Sequence, residues 1–107
     1  MSYLDQLKLI TAWEKTPELT EDDLNGALAT AAIADIEGRA PTHVSWTPTY
    51  DLNSAASAAW LIKAARAADS VEVEGTDPAI VSSKVFDNCR SMARIYAAKR
   101  TMTVVIN

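Results

Sequence analysis

The sequence SAASAAWLIKAARAA, residues 54–68, decides the expected fold. Alanine favours the helix more than any other residue does, and the charged residues in this stretch are Lys63 and Arg66. Its apolar side chains surround much of a helix's circumference, which is typical of a helix buried in a domain or in an interface. We therefore predict a central helix with Asp51 as its N-cap and its end near Asp69.

Two helices are predicted before the central one. Two pairs of residues have the spacing of a capping box: Ser2 with Asp5, and Thr20 with Asp23. The first pair opens a helix of about three turns over residues 4–13, which ends before Pro17. The second pair opens a helix whose apolar residues recur at spacings of three and four, with Gly38 as its left-handed C-terminal residue.

Two short β-segments and a last helix are predicted after the central helix. Residues 71–74 alternate between valine and glutamate, and residues 102–106 are a run of β-formers. Asp77-Pro78 is a strong helix start, and the helix it opens ends near Lys99–Arg100. A helical crossover would allow the two segments to pair in parallel, but a two-stranded ribbon is thin support, so pairing with a neighbouring subunit is the alternative.

Residues 39–50 form a long predicted loop, because Pro41 and Pro48 prevent helix propagation. Trp46 and Tyr50 of this loop either fold back on the core or form a contact surface. The fold class is therefore mainly α. The chain is expected to be a single domain over residues 1–107, with about four helices in a compact bundle, a long central loop and two short β-segments.

Charge is unevenly distributed along a chain whose net charge is −4. Residues 1–50 hold three basic and eight acidic groups, whereas residues 51–107 hold seven basic and six acidic groups. The basic side chains after Ser83 are Lys84, Arg90, Arg94, Lys99 and Arg100. They form either a solvated helix face or a contact with an acidic partner surface, a neighbouring subunit's N-terminal half included.

The sequence offers no arrangement for chemistry. Cys89 stands alone in an apolar stripe, so we expect a buried core thiol and a reducing compartment. His43 has no metal-spaced partner, and the glycines are too far apart for a phosphate loop. We expect no catalytic residue, no metal and no cofactor, and we predict that the protein is not an enzyme. No apolar run is long enough for a membrane span, and the N-terminus lacks a signal-peptide pattern.

The order of elements resembles that of the small head–tail connector proteins of tailed bacteriophages, also called adaptor or head-completion proteins. An acidic start, LTEDDL at residues 19–24, leads into a helix that is expected to end at ADIEGR, residues 34–39. A proline-containing loop, the alanine-rich helix, Asp77-Pro78 and a last helix follow. The resemblance covers about residues 19–100, and the helix at residues 4–13 has no counterpart in it.

The resemblance implies a structural subunit in the neck of a virion, assembled in the host cytoplasm. Such subunits form a ring, often of twelve copies, which docks under the portal protein, extends the DNA channel and contacts the tail or its stopper. Packaged DNA would be a transient, non-specific neighbour, and no membrane is involved. The candidate subunit or partner interface comprises Trp46, Tyr50, Arg90, Arg94, Arg100, Val104, Val105 and Ile106.

Three other classes of function remain open at this point. A helical adaptor or regulatory module that binds a single protein partner is the main alternative to a connector. A helix-turn-helix DNA-binding protein is supported only by the basic residues between Lys84 and Arg100, which lack the spacing of that motif. An enzyme has no support from any group of side chains described above.

Overall fold

The described part of the chain forms four helices. A computed structural model describes residues 2–74 and 78–100, with side chains described over 2–69 and 84–100. The helices are α1 (Tyr3–Thr11), α2 (Glu21–Thr30), α3 (Leu52–Glu74) and α4 (Pro78–Lys99). The prediction of a mainly α fold with four helices is confirmed, and the described residues contain no β-strand.

The predicted helix starts are confirmed in detail. The Ser2 hydroxyl accepts a hydrogen bond from the Asp5 N–H at 3.0 Å. Thr20 and Asp23 form a reciprocal capping box, with each side chain accepting the other's backbone N–H. Asp51 accepts the N–H groups of residues 53 and 54, as an N-cap of α3 should. Side-chain acceptors thus satisfy backbone donors at the starts of these three helices.

The predicted end of the second helix is wrong. α2 ends at Thr30 and not at Gly38, which lies in a later turn with a φ of 80°. After α2 the backbone is extended and pairs with the chain just before α3: the Ile33 N–H donates to the Thr49 carbonyl, and the Asp51 N–H donates to the Ala31 carbonyl. These bonds compete with helix propagation, so residues 31–38 leave the helix despite their periodic apolar residues.

The β-segment predicted at residues 71–74 is also wrong, because these residues form the last turn of α3. Once a long helix exists, each added residue gains a backbone hydrogen bond, whereas a four-residue strand needs a partner strand before it gains any. Because residues 71–74 are helical, they cannot form the predicted parallel pair with residues 102–106. Residues 102–106 themselves lie outside the described residues.

α3 is the central helix of the domain. It contacts α1, α2 and α4, and the contact with α4 is by far the most extensive. The two long helices run antiparallel, since the Asn53 amide donates to the Lys99 carbonyl at 3.2 Å and the Ser57 hydroxyl donates to the Ala93 carbonyl at 2.9 Å. The sequence allowed α3 to be buried either in its own domain or in an interface, and the structure packs its buried alanines against other helices of the same chain, while Leu61 stays 53% exposed.

The core is built from small residues on α3 and larger ones around it. Five alanines of α3 are buried: Ala55, Ala56, Ala59, Ala64 and Ala67. Leu7, Leu24 and Leu28 cover them from α1 and α2, and α4 contributes Cys89 and Ala93. Cys89 is 2% exposed, so its predicted core position is confirmed. Small side chains at these positions leave room for neighbouring helices to pack close to α3.

We predict that Trp60→Ala lowers the free energy of unfolding by about 3–5 kcal/mol. Trp60 is 7% exposed, and its indole N–H donates to the Ile10 carbonyl at 3.2 Å, so the change removes both packing and a bond to α1. Urea unfolding followed by circular dichroism measures the loss. Leu61→Ala, at a neighbouring position that is 53% exposed, is the control and should cost much less. A loss below about 1 kcal/mol for Trp60→Ala would contradict this packing.

Candidate partner interface

A buried lysine joins α3 to the end of α1. Lys63 is 2% exposed, and its Nζ donates to the carbonyls of Ala12 and Lys15, each at 2.9 Å. The ammonium thus satisfies carbonyls just beyond the end of α1, a role that often falls to a basic side chain near a helix terminus. Burial lowers the pKa of Lys63, and nearby Cys89 and Glu18 oppose that shift. The sequence analysis did not predict this role of Lys63. The signal that could have indicated it is a lysine within an otherwise apolar stretch.

An ion pair joins α3 to the start of α2. The Arg66 guanidinium donates to both carboxylate oxygens of Asp23, at 2.6 and 3.0 Å, and to the Glu18 carbonyl at 3.0 Å. Hydrogen bonding to Arg66, with the Thr20 N–H, holds the pKa of Asp23 well below its usual range. This two-point bond fixes the orientation of α2 on α3 more closely than a single contact would.

Three exposed carboxylates surround this anchored start of α2: Glu18, Glu21 and Asp22. We call these three residues the acidic face. Glu21 accepts a hydrogen bond from Lys8 of α1 at 2.6 Å, so one of the three charges is partly compensated. The other two carboxylates face solvent at the N-terminal end of a helix, where the dipole favours negative charge.

A groove lies between α3 and α4 and brings two predicted interface residues together. It has a volume of about 170 Å³ and is lined by Ser57, Leu61, Arg90, Ala93, Arg94 and Ala97. We call it the α3–α4 groove. Arg90 and Arg94 are exposed and one turn apart, and Arg90 also lies over the Phe86 ring at 5.6 Å. Leu61 is 53% exposed, so the groove combines apolar surface with two cations.

The other predicted interface residues lie elsewhere. Trp46 and Tyr50 pack edge to face at 5.8 Å, and Tyr50 packs in the same way on Tyr3 of α1 at 5.1 Å. The Trp46 indole N–H donates to the Ile33 carbonyl at 2.9 Å, so this loop folds back on its own domain. Arg100 is exposed just past the end of α4. Val104, Val105 and Ile106 lie outside the described residues.

A buried carboxylate holds the loop that carries Trp46. Asp35 is 5% exposed and accepts the backbone N–H groups of Arg39 and Thr47, each at 2.9 Å. It also accepts from the Arg39 side chain at 3.1 Å and from the Glu37 N–H. Desolvation alone would raise the pKa of Asp35, but the bonds from Thr47 and Arg39 outweigh it and lower the pKa to about 2. The sequence analysis did not predict this role of Asp35, because its partners lie up to 12 residues away in the chain.

The histidine and the cysteine of the chain both have structural surroundings in the described part of the molecule. His43 Nδ1 accepts the Ser45 N–H at 3.0 Å, and among the described residues no group of three or more metal-type ligands occurs. Burial raises the pKa of Cys89, which favours the unreactive thiol form. Within the same described part of the chain, no helix has the length and apolar character needed to cross a membrane.

Comparison with known proteins gave no match: no protein-family model, no curated protein and no solved structure matches the chain. Function must therefore be inferred from the residues and contacts of this chain. The acidic face and the α3–α4 groove are two exposed features of opposite charge.

We predict that Asp35→Asn flattens the acid dependence of stability. The folded pKa of about 2 lies below that of an unfolded aspartate, near 3.9, so Asp35 stabilises the fold above pH 4 and loses this effect as the pH falls towards 2. Asparagine cannot titrate, and its amide donors oppose the donors from Arg39 and Thr47. The variant should therefore be less stable at pH 7 and lose less stability on acidification than the unmodified chain.

Urea unfolding at pH 7, 4 and 2.5 measures this difference. Asp87→Asn makes the same chemical change at an exposed position of α4 and is the matched control at pH 7, where it should leave the unfolding midpoint nearly unchanged. Equal acid dependence of Asp35→Asn and the unmodified chain would show that the carboxylate does not hold the loop.

Proposed function

We propose that this protein is a ring-forming head–tail connector subunit of a tailed-bacteriophage virion, which docks under the portal, links the capsid to the tail and extends the DNA channel. The order of helices supports this proposal. A capped acidic start, a proline-containing loop, an alanine-rich helix and a long last helix follow one another in the order that the resemblance implies, although α2 ends at Thr30 and not at residues 34–39. The domain around α3 is a small helical body of the kind that can repeat around a ring.

The single observation that carries the proposal is the α3–α4 groove. Its alanine floor, the half-exposed Leu61 and the two exposed arginines form a surface that can accept a protein segment through apolar and ionic contacts. A domain with such a surface is suited to a place in an assembly, where contacts between proteins are its function.

The charge of the chain is compatible with a channel that DNA crosses. At a net charge of −4, the subunit as a whole does not attract phosphate, so DNA could pass without being retained. Arginines that are occupied by a protein contact would be unavailable to the nucleic acid. Contact with DNA would then remain transient and non-specific, as expected of a passage.

A helical adaptor that binds one protein partner would use the same groove, so the two functions differ in copy number and in partner. The test is co-expression of the chain with the portal protein encoded in the same genome, followed by native mass spectrometry and negative-stain electron microscopy. We expect several copies of the chain per portal ring, arranged as a second ring at one end. A portal protein from an unrelated phage is the control and should not bind.

Two results would contradict the connector function. One is the absence of any complex with the portal ring when both proteins are folded, as judged by circular dichroism. The other is a complex with a single non-portal partner at one copy each, which would favour the adaptor. Genes for a portal and a major capsid protein beside this gene would be an independent sign in favour of the connector.

A further inference from the structure

We infer that the α3–α4 groove of one copy receives the acidic face of a second copy, so that copies associate head to tail. This inference rests on the proposed function and deepens it, because it names the partner of the groove. Three observations carry it: the positions of the two surfaces around α3, their opposite charges, and the fact that both belong to one chain.

The two surfaces lie on opposite sides of α3. Ser57 lines the groove, whereas Arg66 binds Asp23 at the anchored start of α2. These α3 residues are nine positions apart, which is about two and a half helical turns, so their side chains leave the helix in opposite directions. The acidic face, which adjoins Asp23 in sequence, therefore lies across the central helix from the groove.

The charges of the two surfaces are complementary. Arg90 and Arg94 line one side of the groove and are exposed, and Glu18 and Asp22 of the acidic face are also exposed. Asp87, one turn before Arg90, is the acidic residue on the described side chains of α4, so the cations predominate there. Opposite charges on exposed surfaces steer association and select orientation, and their effect decreases as salt is added.

The positions of the two surfaces favour a second copy of the chain as the partner that binds in the α3–α4 groove. Because groove and acidic face point in opposite directions, one contact between two copies leaves a free groove at one end and a free acidic face at the other. Such a contact is heterologous: it closes into a ring when the rotation per copy allows closure, and otherwise it propagates. A two-fold dimer through this contact is disfavoured, because each copy would have to present both surfaces on the same side.

Charge reversal on each surface separately tests the inference. The acidic-groove variant is Arg90→Glu/Arg94→Glu, and the basic-face variant is Glu21→Lys/Asp22→Lys. Each variant alone places like charges at every contact, so we expect self-association to be weakened roughly tenfold or more at low salt. In an equimolar mixture every contact can again join opposite charges, so the two variants should assemble with each other in alternation.

Native mass spectrometry at low salt, with sedimentation velocity at 50 and 500 mM salt, reads out the result. Lys84→Glu/Lys99→Glu changes the net charge as much as the acidic-groove variant does, on the same helix but outside the groove, and should assemble like the unmodified chain. Circular dichroism verifies the helix content of each variant. If the basic-face variant does not fold, Asp22→Lys/Asn25→Lys replaces it and leaves the Lys8–Glu21 pair intact.

Recovery of assembly in the mixture, with loss in each variant alone, supports the inference. Three results overturn it: unchanged assembly of either variant, no recovery on mixing two folded variants, or an unmodified chain that stays monomeric into the millimolar range. None of these decides the connector function, which depends on binding to the portal ring. Conversely, if the two variants assemble with each other but the unmodified chain does not bind the portal ring, the head-to-tail contact is supported and the connector function is contradicted.

Discussion

The buried ammonium of Lys63 is the constraint from which the rest of the structure follows. A charged group at 2% exposure is tolerated only where polar partners replace water, and here the carbonyls of Ala12 and Lys15 do so. This requirement fixes the end of α1 against the middle of α3, and the Trp60 indole bond to Ile10 lies beside it. Among the described side chains, no buried polar atom lacks a hydrogen-bond partner. With α1 held by Lys63 and α2 held by Arg66, α4 packs on the alanine surface of α3 that these two helices do not cover.

The same anchoring determines which surfaces face outward. α1 and α2 occupy one side of α3 through Lys63 and Arg66, so the edge between α3 and α4 on the other side stays open. The helix whose start carries the exposed acids is held on α3 by the Arg66–Asp23 ion pair, and the exposed arginines of α4 line the α3–α4 groove. A subunit with opposite charges on opposite sides is suited to repeated association in one direction. That property connects the internal packing of a small helical domain to the proposed place in a ring.

Local sequence signals predicted the helix starts, and tertiary contacts decided what the sequence could not show. The capping boxes and the cap at Asp51 depend on residues within four positions of each other, so they can be recognised in sequence. The end of α2 depends on backbone bonds to residues 49–51, which no local pattern shows. Valine and glutamate alternate at residues 71–74, but four residues are too few to distinguish a strand from the last turn of a long helix. Among the predicted interface residues, Arg90 and Arg94 line the same groove because they are four positions apart on one helix. That Leu61 of α3 forms the other side of this groove could be learned only from the structure.

We conclude that the buried alanines of α3 are covered by the other helices of the same chain and do not need sister copies for their burial. Amide hydrogen exchange, read out by mass spectrometry or NMR on the chain at a concentration where sedimentation shows only monomer, tests this most directly. The account predicts that the amides of α3 between Ala55 and Ala67 exchange slowest of all, far more slowly than those of the loop at residues 39–48. Exchange of these α3 amides at loop rates in the monomer, with protection only after assembly, would contradict it.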